Sequence, residues 1–135
     1  MASKCGIKRL KIVQNKAIRI IDRLKYNSST ANSYKKHKIL QFDELVNLEL
    51  SKLALQFVNK KLPINVQNMF RNNSFHHNYN TRFKKNPRIE KHTSKYYNTS
   101  YLCQVPNTWM NLKAELKDKN KLKSFVRNYK IVKFN

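Results

Sequence analysis

A single glycine, Gly6, stands in a chain of 135 residues, and this scarcity removes whole classes of protein. Two-residue hairpins and phosphate-cradling loops need the positive backbone angles that glycine supplies, so neither a Rossmann fingerprint nor a P-loop can be built here. Three prolines likewise tell against folds made of many tight turns. Two cysteines, Cys5 and Cys103, make no disulfide framework and no Cys-x-x-Cys pair, so free thiols and no zinc finger are expected. No apolar run approaches the ~20 residues that span a bilayer, and the first residues lack the apolar block of a secretory signal. A soluble, intracellular protein of cytoplasm or nucleus, with no membrane partner, is therefore expected. Acids are the last shortage. Asp22, Asp43, Glu44, Glu49, Glu90, Glu115 and Asp118 are all there are, and only Asp43 and Glu44 are neighbours. Metal-assisted phosphodiester chemistry relies on clustered carboxylates, which leaves His76 and His77 poorly supplied as a nuclease centre. No metal, cofactor or small-molecule substrate is expected, and no catalytic residue.

What the chain has in abundance is positive charge: 29 Lys and Arg against 7 acids, a formal net charge of +22. Self-repulsion of that size disfavours a compact state unless a polyanion screens it, and the pattern points to RNA or DNA as partner. The charge is spread along the chain, and most of the cations fall in three regions, residues 1–25, 71–97 and 113–133, each with few acids. A competing cause is A/T-rich coding, which raises Lys and Asn together.

Periodicity predicts a mainly α fold: a small helical domain, residues 1–135, with a long irregular basic and aromatic central segment. It is read as helical over 1–70, irregular over 71–104 and helical again over 105–135. Ile7, Leu10, Val13, Ala17, Ile20, Ile21 and Leu24 recur at steps of three and four, so a helix from about Lys4 to Lys25 is predicted to bury that side. Its opposite side carries Lys16 and Arg19 among other cations. A short helix is expected from Ser33 to Leu40. The next starts near Asp43, with the row Val46, Leu50, Leu53 and Phe57, broadened by Leu48, Leu55, Val58 and Leu62, making it the most buried element, and ends at Pro63. A short piece from Asn65 to Phe70 and a last helix from Leu112 to Val132 complete the scheme, with Trp109 packing the last helix onto the second.

In the irregular middle, Phe75, Tyr79, Phe83, Tyr96, Tyr97 and Tyr101 interleave with Arg71, Arg82, Lys84, Lys85, Arg88, Lys91 and Lys95. Flat rings beside cations suit single-stranded or loop nucleotides, since bases stack on aromatics at about 1–3 kcal/mol each without strong sequence preference. The bland alternative is that the rings fold the segment back onto the helices. The expected nucleic-acid-binding residues are Arg71, Tyr79, Arg82, Lys84, Lys85, Arg88, Lys91 and Lys95, with Lys16 and Arg19 from the first helix. Gln14 and Asn15, on the basic side of that helix, are weaker candidates for bonding bases.

Three stretches stand in a fixed order: LKIVQNKAIRII over Leu10–Ile21, HNYNTR over His77–Arg82 and VPNTWMNL over Val105–Leu112, followed by LKSFVRNYK over Leu122–Lys130. Together they resemble the region beyond the polymerase domain of the reverse transcriptase of LINE-type, non-LTR retrotransposons. The resemblance covers nearly the whole chain, departing from the family at Val105-Pro106, where Gly-Pro is usual, and at Trp109-Met110-Asn111, where Trp-Asn is usual. It implies a non-catalytic C-terminal part of an RNA-directed DNA polymerase, which grips RNA or DNA and rests against the polymerase domain of the same element. No adjacent aspartate pair is present to hold the two metal ions of such a polymerase. The alternative is a standalone small basic protein, derived from such an element, that binds nucleic acid or associates through its helices.

Overall fold

The computed structural model describes residues 4–75, 79–81, 84, 86–90, 93–118 and 121–134, without the side chains of Lys4, Phe75 and Lys95. The fold is mainly helical, as expected: α1 (Lys4–Ile21), α2 (Ala31–Lys36), α3 (Phe42–Val58), α4 (Ile64–Gln67), α5 (Lys95–Asn98), α6 (Tyr101–Asn111), α7 (Ala114–Lys117) and α8 (Leu122–Phe134), with a 3₁₀ turn at Asn73–Phe75. No described helix is long and apolar enough to cross a membrane.

The core forms around α3, which packs mainly against α6 and then α8. Leu48, Leu50, Ala54 and Leu55 of α3 meet Val105 and Trp109 of α6, Leu116 of α7, and Phe125 and Tyr129 of α8, with Leu40 closing one end. Ser51, buried in the midst of this surface, satisfies its hydroxyl by donating to the Asn47 carbonyl at 2.6 Å. The helix begins one residue before Asp43. Gln41 is its N-cap, and the Glu44 carboxylate reaches back to accept from the Gln41 amide at 3.1 Å.

Pro63 does not end α3. The chain turns at Lys60, whose φ of 54° is left-handed, with Lys61 N donating to Gln56 O and Lys60 N to Phe57 O. The same paired closure ends α1 at Arg23 (φ 50°) and α2 at Lys38 (φ 52°). Glycine normally takes this position, and in a chain with one glycine three cations take it instead, at some steric cost that the negative end of each helix partly offsets. The predicted first helix therefore stops at Ile21 rather than Lys25, and α2 starts earlier and stops earlier than expected. Pro63 instead precedes α4, where its missing N–H costs nothing.

Two further expectations are corrected. The segment 71–104 is not irregular throughout, because α5 and the start of α6 lie within it. Val105–Asn111 of VPNTWMNL, within the stretch expected to be helical, forms the body of α6, with Pro106 inside the helix. The proline removes one ladder hydrogen bond, yet its ring is fully buried, and burial offsets that loss. The last helix is not continuous either: α7 and α8 are separate, and Asn111 and Leu112 close α6 rather than open the final helix.

The largest correction concerns α1. Its predicted inner row is on the outside: Leu10 is 49 % exposed, Val13 62 %, Ile20 77 % and Ile21 58 %. The helix docks through the neighbouring side, where Ile18 is buried and polar groups do the holding. Gln14 donates to Leu40 O and accepts from Phe42 N, both at 2.9 Å, bridging the entry to α3. Asn15 Oδ1 accepts from Tyr34 Oη at 2.9 Å and from Thr30 Oγ1 at 3.2 Å, which ties α1 to α2. Lys11 pairs with Asp43 at 2.6 Å. Asp22, just beyond the helix, accepts from Lys36 at 3.1 Å and His37 at 2.7 Å. Hydrogen bonds from Ser33, His37 and Lys36 hold its carboxyl well below the usual carboxylate range.

Candidate nucleic-acid interface

Without an Asn-Gly or Gly-Gly turn, the central segment still pairs with itself. Arg88 N donates to Arg71 O at 2.7 Å, Asn73 N to Asn86 O at 3.2 Å and Ser74 N to Lys84 O at 3.0 Å, while Asn72 and Pro87 form an antiparallel bridge. Residues 71–74 thus lie beside Lys84 and residues 86–88, and the register brings Arg71 and Arg88 together at one end with Lys84 at the other. Pro87 is fully buried. Trp109 of α6 donates its ring N–H to Asn86 Oδ1 at 3.4 Å, so the tryptophan that anchors the core also fastens this pairing to the helices. Lys117 lies over the same ring, 5.8 Å from its centroid.

Where the paired segments meet α5 and α6 there is a hollow of about 330 Å³, lined by Asn68, Met69, Phe70, Arg71, Arg88, Glu90, Tyr97 and Leu102. Glu90 organises it. Its carboxylate accepts from the Tyr97 hydroxyl at 3.1 Å and lies 3.9 Å from Arg71 Nη1. Burial, and then the Glu90 carboxylate, push the Tyr97 hydroxyl up, so it remains a donor at neutral pH. Apolar walls from Phe70 and Leu102 beside two guanidinium groups suit a flat, anionic group such as a nucleotide, because guanidinium forks hold phosphate oxygens in pairs. Comparison of the chain with protein-family models, with curated proteins and with solved structures finds no match. Residue chemistry therefore carries the functional reading.

The expected binding residues are distributed as follows. Arg71, with its side chain 57 % exposed, and half-buried Arg88 line the hollow. Tyr79 is exposed, as are Tyr96 and Tyr101 at the starts of α5 and α6, whereas Tyr97 is turned inward. Lys84 is half-buried in the second of the paired segments. Lys95 opens α5. Arg82, Lys85 and Lys91 lie outside the described residues, as do His77, Asn78, His76, Phe83 and His92. Lys16 is exposed on α1, on a different element from the hollow, and Arg19 donates its Nε–H to Ser28 O at 3.1 Å beside a separate hollow of about 410 Å³ with Tyr26 and Asn27. Gln14 and Asn15 are engaged with backbone and side chains of the fold rather than presented for bases.

Glu90 and Asn86 were not singled out by sequence, and nothing local marks them: each acts through a partner at least seven residues away. A larger hollow of about 720 Å³ lies where α1, α3, α6 and α8 meet, but its lining is mainly apolar and contains none of the expected binding residues. Among the described residues no group of three or more His, Cys, Asp or Glu is placed to hold a metal ion. Cys5 is exposed and Cys103 buried, both free.

Proposed function

We propose that this chain binds RNA or DNA through its central segment, as the non-catalytic C-terminal part of a non-LTR retrotransposon reverse transcriptase, with the polymerase domain of the same element as a further partner. The observation that carries the reading is the union of Arg71 and Arg88 at one hollow, walled by Phe70 and Leu102, in a segment that also exposes the rings of Tyr79, Tyr96 and Tyr101, the last two adjacent in sequence to the lining residues Tyr97 and Leu102. Acid compensation is thin. Asp22, Asp43, Glu44, Glu49 and Glu90 each sit within ion-pair distance of a cation, and even full pairing of all seven acids leaves an excess of 22.

Attachment is electrostatic, through release of counterions from the phosphate backbone, with stacking on the tyrosines adding affinity without a sequence code. If six to eight phosphates are engaged, raising salt from 50 to 200 mM weakens binding by about a thousandfold or more. A filter-binding titration with a single-stranded oligonucleotide at the two salt concentrations checks this, and an affinity that ignores salt would sink the reading. Changing Arg82, Lys84 and Lys85 together to Ala lowers affinity for RNA and DNA while the helical circular-dichroism signal stays native. Unchanged affinity would remove the central segment from the account. A second reading, a standalone basic protein that associates through its helices, is favoured by the outward apolar row of α1. An upstream reading frame with an aspartate pair in a polymerase setting would decide for the first.

A further inference from the structure

Nucleic acid leaves one surface unexplained. Leu10, Val13, Ala17, Ile20 and Ile21 form a continuous aliphatic row on the solvent side of α1, within an arc of about 100° at helical spacing. The first four follow steps of three, four and three, the spacing of a coiled-coil seam. Phosphates and bases gain little from covering aliphatic carbon, whereas leaving such a row in water is costly in proportion to its area.

The borders of the row say what covers it. On one side Gln14 is fixed to the backbone of Leu40 and Phe42, so the protein body stands close against that edge. On the other side helical spacing places Arg9 and Lys16, both exposed. No acidic residue occurs within α1, and Asp22 beyond it is engaged by Lys36 and His37. A second copy would double the cations along the seam and bring no carboxylate to face them. A bilayer surface is disfavoured by geometry: an in-plane helix sinks about 5–10 Å with both flanks free and aromatic residues on its apolar face, and here one flank is occupied by the fold and the row has no aromatic.

We infer that the outward row of α1 docks an amphipathic helix of another polypeptide, apolar at seam positions and flanked by Glu or Asp. The carboxylates of the partner face Arg9 and Lys16, which sets its orientation and rejects basic helices. This inference does not rest on the nucleic-acid reading.

The test uses the full chain and fluorescent peptides three heptads long with Leu at both seam positions. One carries Glu at the flanking positions, one carries Lys there, and one is a scrambled sequence with the composition of the first. Anisotropy titrations are expected to show the Glu-flanked helix binding at least tenfold more tightly than either control. In the chain carrying Val13→Gln and Ile20→Gln, that affinity falls at least tenfold, while oligonucleotide affinity and helical content are unchanged. Equal binding of the scrambled peptide would reduce the effect to bulk charge and overturn the inference. So would indifference to the double substitution. Self-association of the wild-type chain in sedimentation, abolished by the substitutions, would assign the row to a second copy, and vesicle binding with the same dependence would assign it to an anionic membrane.

Discussion

α1 and α3 are nearly equal in length, and both read as amphipathic helices, yet they spend their apolar sides in opposite ways. α3 buries Leu48, Leu50, Ala54, Leu55 and Phe57. α1 buries only Ile18 among its large aliphatic side chains and is held by amides, a lysine and a neighbouring carboxylate. Periodicity tells which residues share a side of a helix; it does not tell which side the rest of the chain covers. The difference is energetic as well as geometric. A helix held by packing loses its place only when the core opens, whereas a helix held by a few polar contacts can detach at much lower cost.

The strongest way to break the comparison is to cut into each apolar side. Phe125, fully buried against α3 in the shared core, should cost about 3–5 kcal/mol when replaced by Ala. Ile20→Ser on α1 should cost no more than about 0.5 kcal/mol, because the side chain is mostly in water already. Urea denaturation followed by circular dichroism measures both. Comparable losses would mean that the row on α1 is covered in the folded chain, and the contrast between the two helices would vanish.

A smaller effect separates the polar attachment from the packed one. Asn15→Leu removes the acceptor for Tyr34 and Thr30, and leaves a buried tyrosine hydroxyl without its partner, a loss of about 1–3 kcal/mol. The added apolar side chain makes the helix more hydrophobic, so a purely hydrophobic attachment would be strengthened. Loss of protection from proteolysis between α1 and α2, with α3 still protected, is the expected outcome. Uniform loss across the chain would show that α1 is cooperative with the core.

These contrasts explain what could be read in advance. The position of α3 was legible because its apolar residues cover more than one row and admit few other arrangements. The start and the core role of Trp109 were legible in kind, though not that the tryptophan also binds Asn86. α6 was hidden by Pro106 and by a run of Tyr, Asn and Ser near its start, residues with weak helix preference that tertiary burial overrides. The docking side of α1 was hidden because Gln14 and Asn15 look like surface amides until Leu40, Phe42 and Tyr34 are brought to them from 19 to 28 residues away. In the candidate site, the mixture of rings and cations was visible as composition. The meeting of Arg71 with Arg88 was not, since it depends on backbone pairing across a loop with no turn signature.

The subtlest difference lies at the helix ends, where the two elements share a device. Arg23 after α1 and Lys60 after α3 are both left-handed, and glycine accepts that conformation without the clash of a side-chain Cβ. Lys60→Gly should raise stability by about 0.5–1 kcal/mol, the relief of strain being partly offset by the greater freedom of glycine in the unfolded chain. Because α3 belongs to the core, this gain should appear in global unfolding. Arg23→Gly relieves the same strain on a helix that detaches separately, so its gain should appear as slower amide exchange in α1 with little change in the global midpoint. Equal shifts of the midpoint for both substitutions would show that the two helices unfold as one unit, despite the different forces that hold them.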